Sequence, residues 1–315
     1  MVPLRGTPQI TIGRSLRVIY PLMVFIEYLR GKVADLAETN AQIYVEHRPR
    51  YPEALIEDLR FRTVGHHGEL LIDWGCGTGE LTLPLSRYFD RVQAVDVGEE
   101  GISIAEEAAQ REGIDNVEWQ IGKAEDLEIS LESCDLITSA SAFHWMDREM
   151  LSARAFQGLK PGGAVAVTGG AGDDIWSGRK EWHRVAIECL RKYLDRPVPE
   201  EKSAGRSVQE QAGGAGNQTK STPTPESAKK WHTDFLEAAG FEVESLQHPT
   251  EFVWRVDEVA GYMYSITGGL PWTLGDQREA FERDFAEALT RLDPSGVMRD
   301  TINFFLIIAT KPSGA

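Results

Sequence analysis

Residues 71–83 read LIDWGCGTGELTL, and this stretch decides the fold prediction. Three glycines, Gly75, Gly77 and Gly79, occupy every second position directly after the apolar run 69–74, which is typical of a short buried strand. A helical pattern follows the last glycine. Glycine is costly unless the backbone needs a positive φ or must approach another group closely. The pattern therefore predicts a strand, a turn and a helix, with a turn that either is simply tight or lies against a ligand.

Two kinds of ligand fit a glycine-rich turn of this type. Dinucleotide sites use the fingerprint GxGxxG, whose third glycine falls one residue later than Gly79 does here. A nucleoside that carries an amino acid needs close backbone approach to its tail, and a helix N-terminus favours the carboxylate of that tail. The spacing favours this second ligand over a pyrophosphate.

Along the rest of the chain, predicted strands alternate with predicted helices. This alternation indicates βαβ units, a parallel sheet and an α/β fold, with ligands bound where the strands end. The predicted strands are 69–74, 91–97, a strand with its following loop over 117–126, 134–143, 164–170, 243–256 and 301–311. The predicted helices include 52–61, 80–89, 98–113, 148–159, 178–194, 231–241, 257–264 and 276–292.

Two acidic residues lie at or just after the ends of predicted strands, where ligands are expected to bind. Asp96 ends the second strand, where a carboxylate can accept hydrogen bonds from both hydroxyls of a ribose; capping of the helix at Gly98 is the alternative. Glu125 follows the third strand and is either part of a base pocket or a solvated loop charge.

Composition limits the partners and the compartment. The net charge of −16 would repel a phosphate backbone, so a nucleic-acid partner is not expected. Three cysteines without a CxxC spacing predict a reducing, cytoplasmic setting with no disulfide framework. No metal site and no nucleophile elbow is expected, because the ligand spacings and the G-x-S-x-G motif are missing from the sequence.

The ends and insertions define the predicted domain organisation. Residues 1–39 form an N-terminal extension, interpreted as a docking helix, a disordered segment or a membrane or partner contact; their apolar run is too short for stable membrane insertion. Residues 40–315 form the main domain. Within it, 171–196 is predicted to be a lid helix and 197–230, which has almost no large apolar residue, a mobile insertion.

Five ordered motifs carry a resemblance to a known family. They are IDWGCGTGELT (72–82), AVDVGEEGISIAEE (94–107), GKAEDL (122–127), CDLITSASAFHWMD (134–147) and LKPGG (159–163). Together they resemble the class I S-adenosylmethionine-dependent methyltransferases, most of all the small-molecule subgroup with an HW.D segment after strand four. The resemblance implies a Rossmann-like, seven-stranded, mostly parallel sheet with helices on both faces and the last strand antiparallel.

The resemblance also implies which residues hold S-adenosyl-L-methionine. The glycine turn approaches the methionine part, an acid beneath it helps to hold the amino group, and the N-terminal YVEHRPRYP segment covers the carboxylate end. Lys123 departs from the family, whose residue at this position is often acidic. The implied cofactor-binding residues are Tyr44, Arg48, Asp73, Gly75, Cys76, Gly77, Asp96, Val97, Ala124, Glu125 and Ser139.

The residues that would contact the methyl acceptor, the molecule that receives the methyl group, are less clearly defined. His144 is the candidate general base for a hydroxyl nucleophile, because imidazole titrates near neutral pH; a residue of the pocket wall is the alternative. Aromatic side chains near predicted loops are candidates for the substrate pocket, with core packing as the alternative for each. They are Trp145, Trp176, Tyr262, Tyr264 and Trp272.

The sequence therefore predicts a methyltransferase that acts on a small molecule at oxygen, nitrogen or carbon, with a role in specialised metabolism. The alternative is a methyltransferase-like fold that binds the cofactor but catalyses a rearrangement or cyclisation, or serves as a non-catalytic partner. The sequence does not specify the acceptor or the oligomeric state.

Overall fold

The computed structural model describes residues 41–170, 180–193, 225–267 and 270–314. The predictions for residues 1–39, for Trp176 and for 197–224 lie outside these described residues. Every predicted strand and most predicted helices fall inside them.

The described strands form one seven-stranded sheet. Its strand order is β3-β2-β1-β4-β5-β7-β6, and β7 runs antiparallel to both of its neighbours while the other paired strands are parallel. This confirms the predicted Rossmann-like architecture with one antiparallel strand. The strands are β1 (Gly68–Trp74), β2 (Phe89–Asp96), β3 (Val117–Ile121), β4 (Cys134–Ala140), β5 (Leu159–Gly169), β6 (Glu242–Arg255) and β7 (Val297–Thr310).

Helices cover both faces of this sheet. They are α1 (residues 41–47), α2 (Glu53–Thr63), α3 (Thr82–Ser86), α4 (Glu99–Glu112), α5 (Arg148–Gly158), α6 (Glu181–Tyr193), α7 (Pro225–Ala238), α8 (Val259–Thr267), α9 (Leu270–Leu274) and α10 (Arg278–Leu292), with short 3₁₀ turns at Ala124–Asp126, Phe143–Trp145 and Gly275–Gln277. None of the helices in the described ranges is long and apolar enough to cross a bilayer.

Two apolar layers enclose the sheet. Leu71 of β1 packs into the layer beneath α2, α6, α8 and α10, whereas Leu70 and Ile72 pack into the layer beneath α5 and α7. Burial on both faces explains why β1 reads as a nearly continuous apolar run and not as an alternating one.

Several boundaries differ from the prediction. β5 begins at Leu159, five residues before the predicted start, so the KPGG segment is part of the strand. Its pairing with β4 shifts register between Cys134 and Leu136, and a Cβ on Gly163 would lie 3.0 Å from the carbonyl oxygen of Asp135. Glycine at this bulge lets the two backbones approach each other. Helix α7 begins at Pro225, inside the predicted mobile insertion.

The β6–β7 hairpin extends beyond the rest of the sheet. β5 pairs with β7 from Phe305 to Thr310, whereas β6 pairs with β7 along its whole length. Because β7 is antiparallel to β5, its first eight residues project past the carboxyl end of β5, at the edge where ligands bind. Trp254 on this arm stacks on Tyr262 of α8 at a centroid distance of 4.8 Å. The arm thus anchors the C-terminal helices beside the ligand edge.

Asp147 caps helix α5. Its carboxylate accepts a hydrogen bond from the backbone N–H of Met150 at 3.1 Å. We expect Asp147→Ala to lower the free energy of unfolding by about 1 kcal/mol, the usual loss for an N-cap. Urea denaturation measures this, with Asp147→Asn as the control that keeps a capping oxygen. An unchanged midpoint in the alanine variant would contradict the assignment.

Candidate cofactor and active site

A cavity of about 480 Å³ opens at the carboxyl ends of β1, β2 and β4. Its volume lies within the range of small-molecule sites. The residues that line it are Ala41, Tyr44, Tyr51, Gly75, Cys76, Gly77, Thr78, Glu80, Leu81, Val95, Asp96, Val97, Gly98, Gly101, Gly122, Lys123, Ala124, Glu125, Ala140, Ser141, Ala142, Trp145 and Met146.

The glycine turn forms one wall of the cavity. Gly75 and Gly77 have φ of +70° and +53°, a region that favours glycine. A Cβ on Gly75 would lie 2.4 Å from the Cβ of Ala142, so protein packing requires that glycine. A Cβ on Gly77 would meet no protein atom within 4 Å, although Gly77 lines the cavity. Protein packing therefore does not require glycine at position 77, and the positive φ and the position on the cavity wall remain as reasons for it.

Asp73 lies at the end of β1 and is fully buried. The hydroxyls of Thr82 and Thr138 donate to its two carboxylate oxygens, at 2.5 and 2.7 Å. Burial raises the pKa of Asp73 to about 6, although both hydrogen bonds act in the opposite direction. An acid with this pKa is mostly ionised at neutral pH and provides a negative charge close to the glycine turn, although Asp73 is not itself among the lining residues.

Asp96 connects the glycine turn to helix α4. Its Oδ2 accepts from the backbone N–H of Gly77 and its Oδ1 accepts from that of Gly98, both at 2.8 Å. Each carboxylate oxygen has a second lone pair, so both can also accept a hydrogen bond from a ligand in the cavity. The sequence suggested two roles for Asp96, helix capping and ribose binding. The two roles are compatible, because the carboxylate orders the start of the helix and also lines the cavity.

The cavity wall that follows β2 and β3 combines apolar and polar side chains. Val97 is 38% exposed although it is hydrophobic, and it lines the cavity together with Ala124. Glu125 also lines the cavity, and its Oε1 accepts from the backbone N–H of Asp147 at 2.8 Å. This bond ties the loop after β3 to the segment after β4, so Glu125 has a structural contact as well as a position in the wall.

The N-terminal segment closes another side. Tyr44 and Tyr51 line the cavity, and Arg48 donates from Nη1 to the carbonyl oxygen of Ser265 in α8 at 3.1 Å. The guanidinium of Arg48 also lies over the Tyr44 ring, at 5.2 Å. A Cβ on Gly261 would lie 2.4 Å from the His47 ring, so α8 packs closely against this segment. The C-terminal helices therefore hold the segment over the ligand edge.

The segment after β4 holds the predicted base. Trp145 lines the cavity and is 55% exposed, and the ring of His144 lies 4.8 Å from it. His144 itself is not among the lining residues. Burial, together with the nearby charges of Arg148 and Arg48, lowers the pKa of His144 to about 4. The imidazole is therefore neutral at physiological pH.

Some predicted residues lie away from the cavity. Ser139 is buried and donates to the carbonyl oxygen of Trp74 at 2.9 Å. Tyr262 and Tyr264 are buried in the core beneath α8, the arrangement expected of the packing alternative. The backbone of Trp272 belongs to α9, and its side chain lies outside the described part of the structure. The predicted lid helix, described as α6 from residue 181, buries one face in the same core and contributes no residue to the cavity wall.

Other lining residues were not predicted. Tyr51 lies three residues after Arg48 in the same segment, and Glu80 directly follows the last glycine of the turn, where burial raises the pKa of its carboxyl. Ser141 has φ of +54°, which is uncommon for a residue with a side chain, and its hydroxyl lies 3.0 Å from that of Tyr51. All three lie inside motifs quoted from the sequence, at 44–52, 72–82 and 134–147, but no residue pattern singles them out within those motifs.

The centre of the chain matches a known domain family. Residues 71–163 match the model of the family described as methyltransferase domain. This match covers the glycine turn, Asp96 and the HW.D segment.

Curated relatives match over a limited part of their length. A probable S-adenosylmethionine-dependent methyltransferase of Saccharomyces cerevisiae is 33% identical over 121 residues, which cover 38% of this chain and 41% of the relative. The trans-aconitate 2-methyltransferase of Deinococcus radiodurans is 33% identical over 110 residues, covering 35% of this chain and 41% of that protein. This chain thus spans less than half the length of these two relatives.

A solved structure shares the fold over most of the chain. The crystal structure of the 4+2 cyclase SpnF aligns with a TM-score of 0.50 and 16% identity, and the alignment covers 90% of this chain and 97% of that one. At this identity the likeness concerns the fold alone. In the described part of the chain, no three His, Cys, Asp or Glu side chains are grouped closely enough to hold a metal ion.

Proposed function

We propose that the protein transfers a methyl group from S-adenosylmethionine to a small molecule. The observation that carries this proposal is the position of Gly77, which lines the cavity and where a Cβ would touch no protein atom within 4 Å. The donors and acceptors around this position suit an amino acid attached to a nucleoside. When bound, S-adenosylmethionine supplies a methyl group on a positively charged sulfur, which a nucleophile can attack directly.

Each wall of the cavity has a role in this proposal. The Gly75–Gly77 turn gives the amino-acid tail access to backbone groups, and the Asp73 charge beneath it attracts the amino group. Asp96 accepts from the ribose hydroxyls, and Val97 packs against the adenine. Tyr44 and Arg48 cover the carboxylate end. Binding in one orientation is the main contribution of the protein, because methyl transfer is a displacement in line with the sulfur.

His144 does not line the cavity, and it is also a weak candidate for the general base. A pKa of about 4 leaves the imidazole a weak proton acceptor at neutral pH, since the most effective bases have a pKa near the working pH. We propose that Trp145, which offers an exposed aromatic face at the cavity, borders the acceptor and that the neighbouring His144 ring packs against it. The nucleophile is then one that reacts without deprotonation by this histidine.

Product analysis tests the activity. The protein is incubated with S-adenosylmethionine carrying a labelled methyl group and with separate pools of small metabolites, RNA and protein. We expect label and S-adenosylhomocysteine release in the small-molecule pool. Label in the RNA or protein pool would contradict the proposed substrate class. Conversion of a substrate without a gain of methyl mass would indicate a rearrangement or cyclisation instead.

The ionisation of Asp73 predicts a pH dependence of cofactor binding. The pKa of about 6 lies above the usual value of 3.8, so acidification protonates Asp73 and removes the charge that attracts the amino group. We expect the affinity for S-adenosylhomocysteine to fall as the pH decreases through 6, by up to about tenfold per pH unit, and Asp73→Asn to remove this dependence. Calorimetry across this range provides the measurement.

Unfolding does not explain such a loss of affinity. When the pKa of an acid is higher in the folded than in the unfolded state, the free energy of unfolding increases as the pH falls through the folded-state pKa. The free energy of unfolding decreases again as the pH rises through that pKa. Asp73 therefore makes the ligand-free protein more stable just below pH 6 than above it. A flat affinity profile across this range in the wild type would contradict the role of Asp73.

A further inference from the structure

Glu80 is a half-buried carboxylate on the wall of the cavity, directly after the glycine turn. Its side chain forms no hydrogen bond or ion pair in the described part of the chain, although the charge of Arg50 acts on it without reaching ion-pair distance. Burial raises the pKa of this carboxyl, and Arg50 acts in the opposite direction. A carboxylate that is partly removed from water is costly unless another group compensates its charge.

Thr78 adds a second unsatisfied polar group to the same wall. The residue lines the cavity and is only 7% exposed, yet its hydroxyl has no hydrogen-bond partner among the described residues. Buried hydroxyls are almost always hydrogen-bonded, so an orphaned one on a cavity wall points to a ligand. The Thr78 hydroxyl and the Glu80 carboxylate both offer lone pairs, and they therefore match a ligand group with several hydrogen-bond donors.

The other charged side chains that line the cavity lie elsewhere or already have partners. They are Asp96, Lys123 and Glu125. Asp96 accepts from two backbone N–H groups, and Glu125 accepts from the backbone N–H of Asp147. Lys123 and Glu125 follow β3, which is separated from β1 by β2. Glu80 is therefore the lining carboxylate whose charge is left for a cation in the cavity.

Aromatic side chains border the cavity away from β2 and β3. Tyr51 directly follows Arg50 in the chain, and its hydroxyl lies 3.0 Å from that of Ser141. Trp145, four residues after Ser141, lines the cavity and is 55% exposed. Since β4 flanks β1 on the side opposite β2, these residues form a wall distinct from that of Asp96. Aromatic faces attract ammonium ions, so this wall also suits a cation.

We propose that Glu80 and Thr78 bind the ammonium group of a methyl acceptor that is a small primary or secondary amine, and that this nitrogen receives the methyl group. The proposal rests on the proposed function and names its substrate class. The carboxylate and the hydroxyl accept hydrogen bonds from the ammonium group, and Trp145 offers its aromatic face to the same cation. The amino group of the cofactor is attracted by Asp73, so the charge of Glu80 remains for the acceptor.

The reaction balances with Glu80 as the proton acceptor. The bound ammonium group transfers one proton to the carboxylate, which frees the lone pair of the nitrogen. This lone pair forms the new nitrogen–carbon bond while the bond between methyl carbon and sulfur breaks, and its electron pair remains on the sulfur. The products are an N-methylammonium ion and neutral S-adenosylhomocysteine, and Glu80 releases the proton to water. Because burial raises the pKa of Glu80, its carboxylate accepts a proton more readily than an exposed glutamate does.

The test uses a panel of aliphatic, heterocyclic and aromatic primary and secondary amines, each paired with the alcohol of the same carbon skeleton. The full chain is incubated with S-adenosylmethionine labelled in the methyl group, and labelled products are separated by cation exchange after treatment with mild base. We expect base-stable, cationic labelled products from one or more amines and none from the matching alcohols. Equal labelling of the alcohols, or no labelled amine while S-adenosylhomocysteine still binds, would overturn the proposal. A lack of S-adenosylhomocysteine binding would instead refute the proposed function.

Variants separate the amino group of the acceptor from that of the cofactor. We expect Glu80→Gln to lower kcat/KM for the labelled amine roughly 100-fold or more, since it removes both the charge and the base. Thr78→Val lowers it about fivefold through the loss of one hydrogen bond, while in both variants the Kd for S-adenosylhomocysteine stays within about threefold of the wild type. Glu80→Met replaces the glutamine variant if that one does not fold.

Glu106→Gln is the matched control, because Glu106 lies exposed on α4 and does not line the cavity. We expect this variant to keep the wild-type kcat/KM for the amine. An equal kcat/KM in the Glu80 and Glu106 variants would overturn the proposal. A loss of S-adenosylhomocysteine affinity in the Glu80 variant that matches its loss of kcat/KM would place the carboxylate at the amino group of the cofactor, and would also overturn it.

Discussion

Gly77→Val is expected to abolish binding of S-adenosylhomocysteine while the protein stays folded. Gly77 lines the cavity and a Cβ there touches no protein atom within 4 Å, so we expect the valine side chain to take up ligand space without forcing the core apart. The positive φ of +53° adds strain of about 1–2 kcal/mol for a residue with a side chain. We expect the affinity to fall by more than about 100-fold, or about 2.7 kcal/mol, measured by calorimetry.

Gly113→Val is the matched control for this substitution. Gly113 ends helix α4 with φ of +69°, and a Cβ there also meets no atom within 4 Å, but the residue does not line the cavity. The two variants thus carry a similar backbone strain, which thermal unfolding measures. We expect Gly113→Val to lose comparable stability and to bind normally. Equal binding by both variants would show that no ligand approaches Gly77.

Asp96→Ala is expected to have the second largest effect. The substitution removes the acceptor for a ribose hydroxyl and also leaves the backbone N–H groups of Gly77 and Gly98 without their carboxylate partner. Hydrogen bonds to a charged group contribute about 1.5–3 kcal/mol, so we expect the affinity for S-adenosylhomocysteine to fall by roughly 10- to 150-fold. Calorimetry with the purified variant measures the change.

Asp90→Ala provides the control for the loss of a charge on the same strand. Asp90 lies near the opposite end of β2, and its carboxylate meets the exposed His67 at 2.9 Å. We expect its affinity to equal that of the wild type. A similar affinity for the Asp96 and Asp90 variants would remove Asp96 from the binding site.

Local sequence patterns predicted those site residues that lie at the carboxyl ends of the strands. The turn from Gly75 to Gly77, Asp96 and Glu125 all lie at or just after the ends of strands, and parallel strands bring such positions together at one edge. The alternation of strands and helices predicted most of the elements, and the resemblance to a family added the antiparallel β7. These features depend on short-range periodicity and on chain order.

The remaining positions depend on contacts that no local pattern contains. Ser139 was expected at the cofactor, but it points into the core from β4, and Ser141, just beyond the strand end, reaches the cavity. Tyr262 was expected in the substrate wall, but α8 turns it toward Trp254 of the hairpin arm. The length of that arm follows from pairing between β6 and β7 across more than forty residues of sequence. Such long-range packing decided which aromatic residues are exposed to a ligand.

Two nucleotide ligands, compared on the same wild-type protein, test most directly what the glycine turn binds. We assign this turn to the amino-acid tail of an S-adenosyl compound and not to a pyrophosphate. Calorimetric titration with S-adenosylhomocysteine and, separately, with nicotinamide adenine dinucleotide distinguishes these ligands. We expect saturable binding of one S-adenosylhomocysteine per chain and no heat of binding for the dinucleotide. Binding of the dinucleotide, or a folded protein that does not bind S-adenosylhomocysteine, would contradict this assignment.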